Sequence, residues 1–456
     1  MYKFIFRNVN NTSQIEELIK EFLQPFEYEV LDADSAESGE GVPVYSADDY
    51  EDVREGLKRA VYRDLSELTG KRPRWGILTG IRPVKLAGEI GDRGENPARV
   101  LRDRYLLDES KTGLTCDILE YQRRVIGRPE NDSFSMYIGI PFCPTRCLYC
   151  SFTSNQVPDS EIERYLEALN REIDYCTGAV KDSGYKLESI YFGGGTPTTL
   201  NTAQLDDLLG RVSRGFELDN IREFTVEAGR PDTITGDKLR VLKEHGVDRI
   251  SINPQTMKQE TLDLIGRRHT VDDVRKAFEL AHAVGFEIIN TDLIAGLPEE
   301  SFEDFKDSLK QVMDLGATNI TLHTLAVKRA SRLKEMDENF NYRDEELREQ
   351  MLDYAHGTLA DAGFRPYYLY RQKHTSGNTE NTGFCLNDSV STYNIRIMEE
   401  AQSILALGAG GISKIYFPEE NRLERVANVS NYEIYIERID EMIQRKINGF
   451  FGGMTC

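Results

Sequence analysis

Cysteine is scarce in this sequence, and long hydrophobic runs are missing. Seven cysteines in 456 residues are too few, and odd in number, for a disulfide-linked scaffold, so we expect reduced thiols in a cytoplasmic protein. No stretch approaches the roughly eighteen uninterrupted apolar residues that a membrane-spanning helix needs. The opening residues, MYKFIFRNVNN, contain neither a long apolar segment nor a small-residue cleavage site, which argues against a secretory signal.

Positive charge is also in short supply. The chain has 56 lysines and arginines against 77 aspartates and glutamates, which gives a net charge of −21. This balance argues against non-specific binding of nucleic acid, although a local basic strip is compatible with it. The apolar share of 39% and the charged share of 29% are typical of a folded globular protein.

The chain is long enough for two or three domains, because a single hydrophobic core rarely organises this many residues. Residues 1–130 mix strand and helix patterns and predict an N-terminal accessory α+β domain without a recognisable catalytic motif. Residues 131–335 alternate short apolar runs with helical patterns. Residues 336–456 predict a small, mostly helical C-terminal domain on the substrate side.

Strands and helices alternate throughout the central region. Its apolar runs, rich in Ile, Val, Phe and Tyr, are SMYIGIPF, ESIYFGGG, EFTVEAG, RISINPQ, IINTDLIAGLP and NITLHTLAV. Strands that alternate with helices form parallel sheets with right-handed crossovers. Such units in series predict an α/β fold with a partial (β/α)6 TIM-like barrel, in which the chemistry lies at the carboxyl ends of the strands.

Polar residues and glycines gather where these predicted strands end. The first strand runs into a group of cysteines, and the second runs into GGGTP at 193–197. The other four strands end near Glu227, near Asn253 and Gln255, near Asn290 and Asp292, and near His323 and Ala326. Each residue alone fits a capped strand end or a surface side chain. Together they predict a site at one rim of the barrel.

Three of the seven cysteines lie within eight residues of one another. Cys143, Cys147 and Cys150 are spaced four and three residues apart, and no other cysteine is nearby in the sequence to complete a tetrahedral zinc site. Three thiolates on a short loop can hold three irons of a 4Fe–4S cluster and leave the fourth iron open. We therefore favour an iron–sulfur cluster over zinc or idle thiols.

The CxxxCxxC loop after a first barrel strand resembles that of the radical S-adenosylmethionine (SAM) superfamily. The resemblance implies that the open iron binds SAM, which one electron cleaves to methionine and a 5′-deoxyadenosyl radical. More closely, the chain is similar to the oxygen-independent coproporphyrinogen III oxidase (coproporphyrinogen dehydrogenase) family. The segments that carry this likeness are YIGIPFC, FGGGTPT, VEAGRPD, RISINPQTM, LIGRRHT, NTDLIAGLP and LALGAGGISK. The segments WGILTGIRPVK and YRQKHTSGNTENTGF resemble its HemZ-type branch.

The resemblance implies roles for individual residues. Cys143, Cys147 and Cys150 would bind the cluster, and Ala326 would contact adenine through its backbone. The other residues expected around the cluster and SAM are Tyr137, Tyr149, Gly194, Gly195, Thr196, Glu227, Gln255, Arg267 and Asp292. Glycines allow close backbone approach, carboxylates and amides suit ribose hydroxyls, and a guanidinium suits the methionine carboxylate. Arg268 is an alternative to Arg267, and Tyr137 fits ordinary strand packing equally well.

The family reaction implies a tetrapyrrole substrate with several carboxylates. It is the oxidative decarboxylation of two propionates of coproporphyrinogen III to give protoporphyrinogen IX, a step of porphyrin and heme biosynthesis. Flavodoxin or ferredoxin would donate the electron. An acidic protein must concentrate positive charge for such a substrate. Two strips could do so unless they are solvated surface; they are Lys71, Arg72, Arg74, Arg82 and Lys85, and Arg371, Lys373 and His374 with Asn378 and Asn381.

Two departures from the family pattern leave the substrate open. Phe152 stands two places after the last cysteine, where a further cysteine is expected from the resemblance, and GNTENTGF replaces an HNxxYW-like segment. The resemblance therefore leaves three hypotheses. The first is oxidation of coproporphyrinogen. The second is binding or transfer of heme, with the cluster and SAM as a switch. The third is radical chemistry on another tetrapyrrole.

Overall fold

A large sheet, a small sheet and the helices around them make up the part of the chain that the structure describes. The structure is a computed structural model, and it describes residues 1–31, 42–150, 154–325, 345–372 and 379–454. Within these ranges, one sheet has eleven strands and the other has three. None of the helices in these ranges is long and apolar enough to cross a membrane.

The first residues of the chain fold around the small parallel sheet. Its strands are β1 (Tyr2–Arg7), β2 (Tyr28–Leu31) and β3 (Val44–Ser46), with β1 in the middle, and its helices are α1 (Ser13–Ile19) and α2 (Val53–Thr69). Leu57, Val61 and Leu65 of α2 are buried in the core of this sheet. Val53 and Leu68, in the first and last turns of α2, are exposed, because these end turns reach beyond that core.

Three further helices connect this small sheet to the rest of the protein. They are α3 (Pro83–Asp92), α4 (Pro97–Asp103) and α5 (Glu109–Val125). Trp75 is buried among them, and its indole N–H donates to a carboxylate oxygen of Glu380 over 3.0 Å. The predicted boundary between residues 130 and 131 falls between α5 and the first strand of the large sheet.

Parallel strands in sequence order form the centre of the large sheet. They are β4 (Ser133–Ile140), β5 (Lys186–Gly194), β6 (Glu223–Glu227), β7 (Arg249–Ser251), β8 (Ile288–Ala295) and β9 (Asn319–Thr324). The helices between them are α6 (Asp159–Ser183), α7 (Thr202–Gly215), α8 (Gly236–Glu244), α9 (Gln259–Leu264), α10 (Val271–Val284) and α11 (Phe302–Asp314). Each strand pairs with the next in parallel. The predicted α/β fold with a six-unit strand–helix core is therefore confirmed.

The C-terminal region contributes both helices and strands. Its helices are α12 (Glu345–Asp361), α13 (Thr392–Glu399), α14 (Tyr432–Glu437), α15 (Ile439–Arg445), the π-helical segment Lys446–Phe451 and α16 (Gly452–Met454). Its strands are β10 (Arg365–Arg371), β11 (Glu380–Cys385), β12 (Ser403–Leu407), β13 (Ile412–Phe417) and β14 (Arg422–Ala427). The helices follow the prediction for this region, whereas the strands were not foreseen. The predicted boundary near residue 335 lies outside the described residues.

These additional strands extend the large sheet at both edges. Strands β11 and β10 follow β9 in antiparallel pairs, and β12 pairs with β4 in parallel before the antiparallel β13 and β14. Side chains of the C-terminal region and of the parallel strands share one hydrophobic core. Strands buried on both faces need nearly continuous apolar sequence, and Phe134, Met136, Ile138 and Ile140 of β4 satisfy this on one face. The shared core brings the C-terminal region next to the rim where β4 to β9 end.

Candidate functional site

The three clustered cysteines lie on the loop that follows β4. Cys147 is buried, whereas Cys143 and Cys150 are partly exposed. Backbone hydrogen bonds hold the loop in place: the N–H of Cys143 donates to the carbonyl of Asn155 over 3.1 Å, and the N–H of Leu148 donates to the carbonyl of Ile265 over 2.9 Å. The loop is therefore attached at both ends to other parts of the barrel rim.

The thiols of this loop are close enough to affect one another. Burial raises the pKa of Cys143 to about 11; the hydroxyl of Thr196, 3.5 Å from its sulfur, opposes the rise, and the thiols of Cys150 and Cys147 add to it. In the described ranges, no three His, Cys, Asp or Glu side chains converge on one metal ion. A 4Fe–4S cluster takes one thiolate on each of three irons, so its ligands stand further apart. The three thiols of this loop are the donor set that such a cluster with one open iron requires.

The glycine turn at the end of β5 packs directly against the cysteine loop. Gly194 has a φ of +109°, which side-chain-bearing residues rarely adopt. A Cβ atom on Gly195 would stand 2.5 Å from the carbonyl oxygen of Phe142 and 3.0 Å from Sγ of Cys143. The N–H of Thr196 donates to that same carbonyl over 2.7 Å. Only glycine therefore lets the turn approach the cysteines this closely.

Glu227 ends β6 immediately beside this turn. Its Oε1 accepts a hydrogen bond of 2.5 Å from the hydroxyl of Tyr191, and its carboxylate accepts another from the backbone N–H of Gly194. Burial raises the pKa of Glu227 to about 7; the bond from Tyr191 opposes this, Asp292 adds to it, and the bond from Gly194 opposes it. Glu227 therefore carries a carboxyl group that changes charge near neutral pH.

Gln255 and Asp292 occupy the next positions along the rim. Gln255 has a φ of +73°, a region that costs energy for a residue with a side chain. Its N–H donates to the carbonyl of Asp292 over 3.0 Å, and its own carbonyl accepts from the N–H of Ile294. This backbone ladder joins the segment after β7 to β8 and holds both side chains at the same end of the sheet.

A chain of polar side chains continues from Asp292 across β9 to β10. Oδ1 of Asp292 accepts from the amide of Asn290 over 2.9 Å, and Oδ2 lies 3.5 Å from Nε2 of His323. The other ring nitrogen of His323 is 3.3 Å from the hydroxyl of Tyr370. His323 is partly exposed, with a quarter of its side chain accessible. This row of polar side chains lies on the part of the rim that is farthest along the sheet from the cysteine loop.

Arg267 is buried beneath the cysteine loop. One terminal nitrogen donates to the carbonyl of Asn253 over 2.5 Å, and the other lies 3.5 Å from the hydroxyl of Tyr149. Burial opposes its charge, but Tyr149 and Cys147 outweigh burial and raise the pKa of Arg267. The neighbouring Arg268 is exposed. Of the two arginines considered from sequence, Arg267 is the one that faces the loop.

Tyr137 belongs to a stack of three tyrosine rings inside the barrel. Its ring lies 6.4 Å from that of Tyr191 and 6.2 Å from that of Tyr393, and the last two rings are 4.5 Å apart. The hydroxyl of Tyr137 also comes within 3.2 Å of where a Cβ on Gly194 would stand. Tyr137 thus packs beside the glycine turn as well as within the strand.

The described residues expected at the site from sequence all lie along this rim, from the cysteine loop to Asp292. Ala326 lies outside the described residues. Sequence reasoning missed Tyr191 and Tyr393. Tyr191 stands two places before the glycine turn, so strand alternation places it on the same face as Gly193 and could have revealed it. Tyr393 lies on α13, far along the chain, and no local signal connects it to the site.

The two basic strips are largely engaged within the protein. Arg74 pairs with Asp108 and Asp353, while Arg82 and Lys85 pair with Glu400. Arg371 is buried, donates to the carbonyl of Leu78 and lies 5.0 Å from the centre of the Trp75 ring. Lys373, His374 and Asn378 lie outside the described residues. Most of the described cations of these strips therefore bind carboxylates or backbone of this chain.

Comparison with known proteins identifies the family. The sequence model of the radical SAM superfamily matches residues 137–312. Over 398 residues the chain is 40% identical to the oxygen-independent coproporphyrinogen-III oxidase-like protein HemZ of Bacillus subtilis, covering 85% of this chain and 79% of that protein. The chain belongs to the HemZ-type branch of the oxygen-independent coproporphyrinogen III oxidase family, within the radical SAM superfamily. Its cofactors are accordingly a 4Fe–4S cluster and SAM.

Proteins similar to this chain carry different names. The heme chaperone HemW of Bacillus subtilis is 37% identical over 195 residues, which cover 42% of this chain and 51% of that protein. The structure of coproporphyrinogen III oxidase (HemN) from Escherichia coli shares the fold, with a TM-score of 0.56, 22% identity and coverage of 71% of this chain and 73% of that one. This HemZ-type protein therefore has both oxidases and heme chaperones among its relatives.

Proposed function

We propose that this protein is a radical SAM oxidoreductase that decarboxylates two propionates of coproporphyrinogen III and so forms protoporphyrinogen IX. The observation that carries the proposal is the arrangement at the rim, where the cysteine loop, the glycine turn, Glu227 and Arg267 lie beside one another. The likeness to an oxidase-like protein over most of the chain supports this substrate. Flavodoxin or ferredoxin is the proposed electron donor, and the cytoplasm is the proposed location.

Each part of the rim has a task in this proposal. Cys143, Cys147 and Cys150 would hold the cluster, which together with SAM supplies the electron transfer and the radical. The backbone of Gly194, Gly195 and Thr196 would border the methionine amino group, since the absence of a Cβ at Gly195 permits close approach. Arg267 would neutralise the methionine carboxylate. Glu227, Gln255 and Asp292 would accept hydrogen bonds from the ribose hydroxyls, and Tyr137 and Tyr149 would exclude water.

The substrate side of the proposed site begins at Asp292. His323 and Tyr370 continue the rim from there, and the phenol of Tyr370 can donate a hydrogen bond to a carboxylate while His323 holds it in place. A tetrapyrrole propionate would present such a carboxylate, so we place the substrate against this pair. The contact between His323 and Asp292 keeps His323 and Tyr370 next to the residues assigned to SAM.

Binding or transfer of heme is the second candidate function. The 37% identity to a heme chaperone favours it, as does the partly exposed imidazole of His323 at the rim. In this alternative, SAM and the cluster would be retained without decarboxylation of porphyrinogen. Radical chemistry on another tetrapyrrole is the remaining hypothesis.

An anaerobic assay separates these functions. The full-length protein with a reconstituted cluster is mixed with SAM, a reductant and coproporphyrinogen III, and the release of carbon dioxide and 5′-deoxyadenosine is measured. The affinity of the same protein for heme is measured separately. Release of carbon dioxide with protoporphyrinogen supports the proposed oxidase. Tight heme binding without turnover supports the chaperone instead, and 5′-deoxyadenosine without porphyrinogen conversion points to another substrate. Cys147→Ala is the matched control, because loss of one cluster ligand should abolish SAM cleavage in either enzymatic case.

A further inference from the structure

Tyr191 is joined to the candidate SAM pocket through Glu227. Its hydroxyl donates to Oε1 of Glu227 over 2.5 Å, and the backbone N–H of Gly194 donates to the same carboxylate. Both donors come from β5, so together they fix the side chain that ends β6. A carboxylate has about four lone-pair positions. Two fixed donors therefore orient Glu227 and still leave it able to accept from ribose hydroxyls.

Tyr191 is held in place by the C-terminal region. Its ring stacks on that of Tyr393 at 4.5 Å with an angle of 21° between the planes, and offset stacking of this kind is favourable. Tyr393 lies in the first turn of α13, where the N–H of Thr392 donates to the buried carboxylate of Glu223. The hydroxyl of Tyr191 therefore has a fixed position from which to reach Glu227.

We propose that Tyr191 is a positioning residue for SAM, whose hydroxyl holds the carboxylate of Glu227 toward the ribose. This inference rests on the proposed assignment of Glu227 to SAM. The hydroxyl of Tyr191 would act through the carboxylate of Glu227, so its removal should change how SAM binding depends on pH.

The surroundings of Glu227 give the direction of that change. The groups that face it are the hydroxyl of Tyr191 and the N–H of Gly194 from β5, Asp292 from β8, and the phenols of Tyr137 from β4 and Tyr393 from α13. Burial raises the pKa of Glu227 to about 7, and the bond from Tyr191 is the largest opposing influence. Without this bond the pKa rises further, so more of Glu227 is protonated and neutral near pH 7. Raising the pH restores the carboxylate.

The test measures SAM affinity of the full-length protein with its cluster reconstituted, by equilibrium dialysis between about pH 6 and about pH 9. Tyr191→Phe keeps the ring stack and removes the hydroxyl. We expect its SAM affinity to fall about five- to tenfold near pH 7, as for the loss of one hydrogen bond, and to recover toward pH 9. Tyr45→Phe is the matched control, because Tyr45 is also a buried tyrosine whose hydroxyl bonds to a carboxylate, that of Asp64, but it lies in the small sheet.

A third variant, Glu227→Gln, separates this inference from the proposed function. Weak SAM binding by Glu227→Gln with unchanged binding by Tyr191→Phe at every pH would overturn the role of Tyr191 and leave Glu227 in place. Unchanged binding by Glu227→Gln would overturn the assignment of Glu227 itself. An equal loss in Tyr191→Phe and Tyr45→Phe, independent of pH, would also overturn the inference, since it would indicate general damage. Iron content and thermal unfolding of each variant report whether the fold and cluster are intact.

Discussion

Lys446 and Glu172 form an ion pair that is completely buried, with Nζ of Lys446 2.6 Å from Oε1 of Glu172. The other oxygen of Glu172 accepts from the hydroxyl of Tyr435 and from the N–H of Gly408. Burial alone would raise the pKa of Glu172, but Lys446 and these donors outweigh it and hold the pKa below its ordinary value. The pair joins α6 of the barrel to the π-helical segment Lys446–Phe451.

Breaking this pair should destabilise the protein strongly. Lys446→Met leaves the carboxylate of Glu172 buried without its cation, and such a change typically costs about 3–5 kcal/mol. Urea unfolding of the variant measures the loss in the free energy of unfolding. Lys181→Met, at an exposed position on the same helix as Glu172, should change that free energy by less than about 0.5 kcal/mol. Equal stability of the two variants would contradict the importance of the pair.

Adding one methyl group at Gly195 should prevent assembly of the site. In Gly195→Ala the new Cβ would lie 2.5 Å from the carbonyl oxygen of Phe142 and 3.0 Å from Sγ of Cys143, so the turn and the cysteine loop must separate. Reconstitution should then yield less iron per chain and no measurable SAM cleavage. Gly178→Ala is the control, because its new Cβ would meet nothing within 4 Å beyond its own turn of helix α6. A full complement of iron in Gly195→Ala would show that the close approach is dispensable.

Arg267 and Arg268 should differ sharply in their effect on SAM. Arg267 is buried against Asn253 and Tyr149, whereas Arg268 is exposed. Loss of a hydrogen bond to a charged group costs about 1.5–3 kcal/mol, so Arg267→Lys should weaken SAM binding about tenfold or more. Arg268→Lys should leave it nearly unchanged. Equilibrium dialysis measures the SAM affinity of both variants. A larger loss of affinity in Arg268→Lys would assign the methionine carboxylate to Arg268 instead of Arg267.

Glu380 should make the stability of the protein depend on acid pH. Burial opposes its charge, but Lys111, His356 and Trp75 outweigh burial and lower its pKa to about 2. A depressed pKa contributes stability that is fully present above the unfolded value of about 4.5 and is lost as pH falls toward the folded value. We therefore expect the stability difference between wild type and Glu380→Gln to shrink steadily below about pH 4.5. Unfolding curves at several pH values test this, and a constant difference would refute it.

The sequence reveals the parts of the site that depend on local spacing. The offsets of Cys143, Cys147 and Cys150, and the position of the glycines at a strand end, were sufficient to place them at one rim, because parallel strands bring their carboxyl ends together. The choice between Arg267 and Arg268 needed burial, which adjacent residues of the same type do not disclose. The stacking of Tyr393 on Tyr191 depends on packing between distant segments and leaves no local pattern.

The same limit applies to the extra strands of the large sheet. Ser403 to Leu407 form a short apolar strand whose neighbour is β4, and its pairing depends on the path of the whole C-terminal region. The cations of the first basic strip show a similar dependence. Arg82 and Lys85 approach Glu400, a carboxylate distant in sequence, so a local charge count suggested an anion-binding surface where the fold forms ion pairs.

The pairing of β4 with β12 joins the strand before the cysteine loop to a segment made late in synthesis. Phe134 of β4 is paired with Ser403 of β12. One edge of β4, the strand that leads into the cysteine loop, therefore lacks its neighbour until the ribosome has made most of the chain. An unpaired strand edge can join other chains, and non-local pairing is slow to form. We therefore expect stable insertion of the iron–sulfur cluster after β12 has been made, and we expect chains released earlier to carry all three thiols beside an open strand edge.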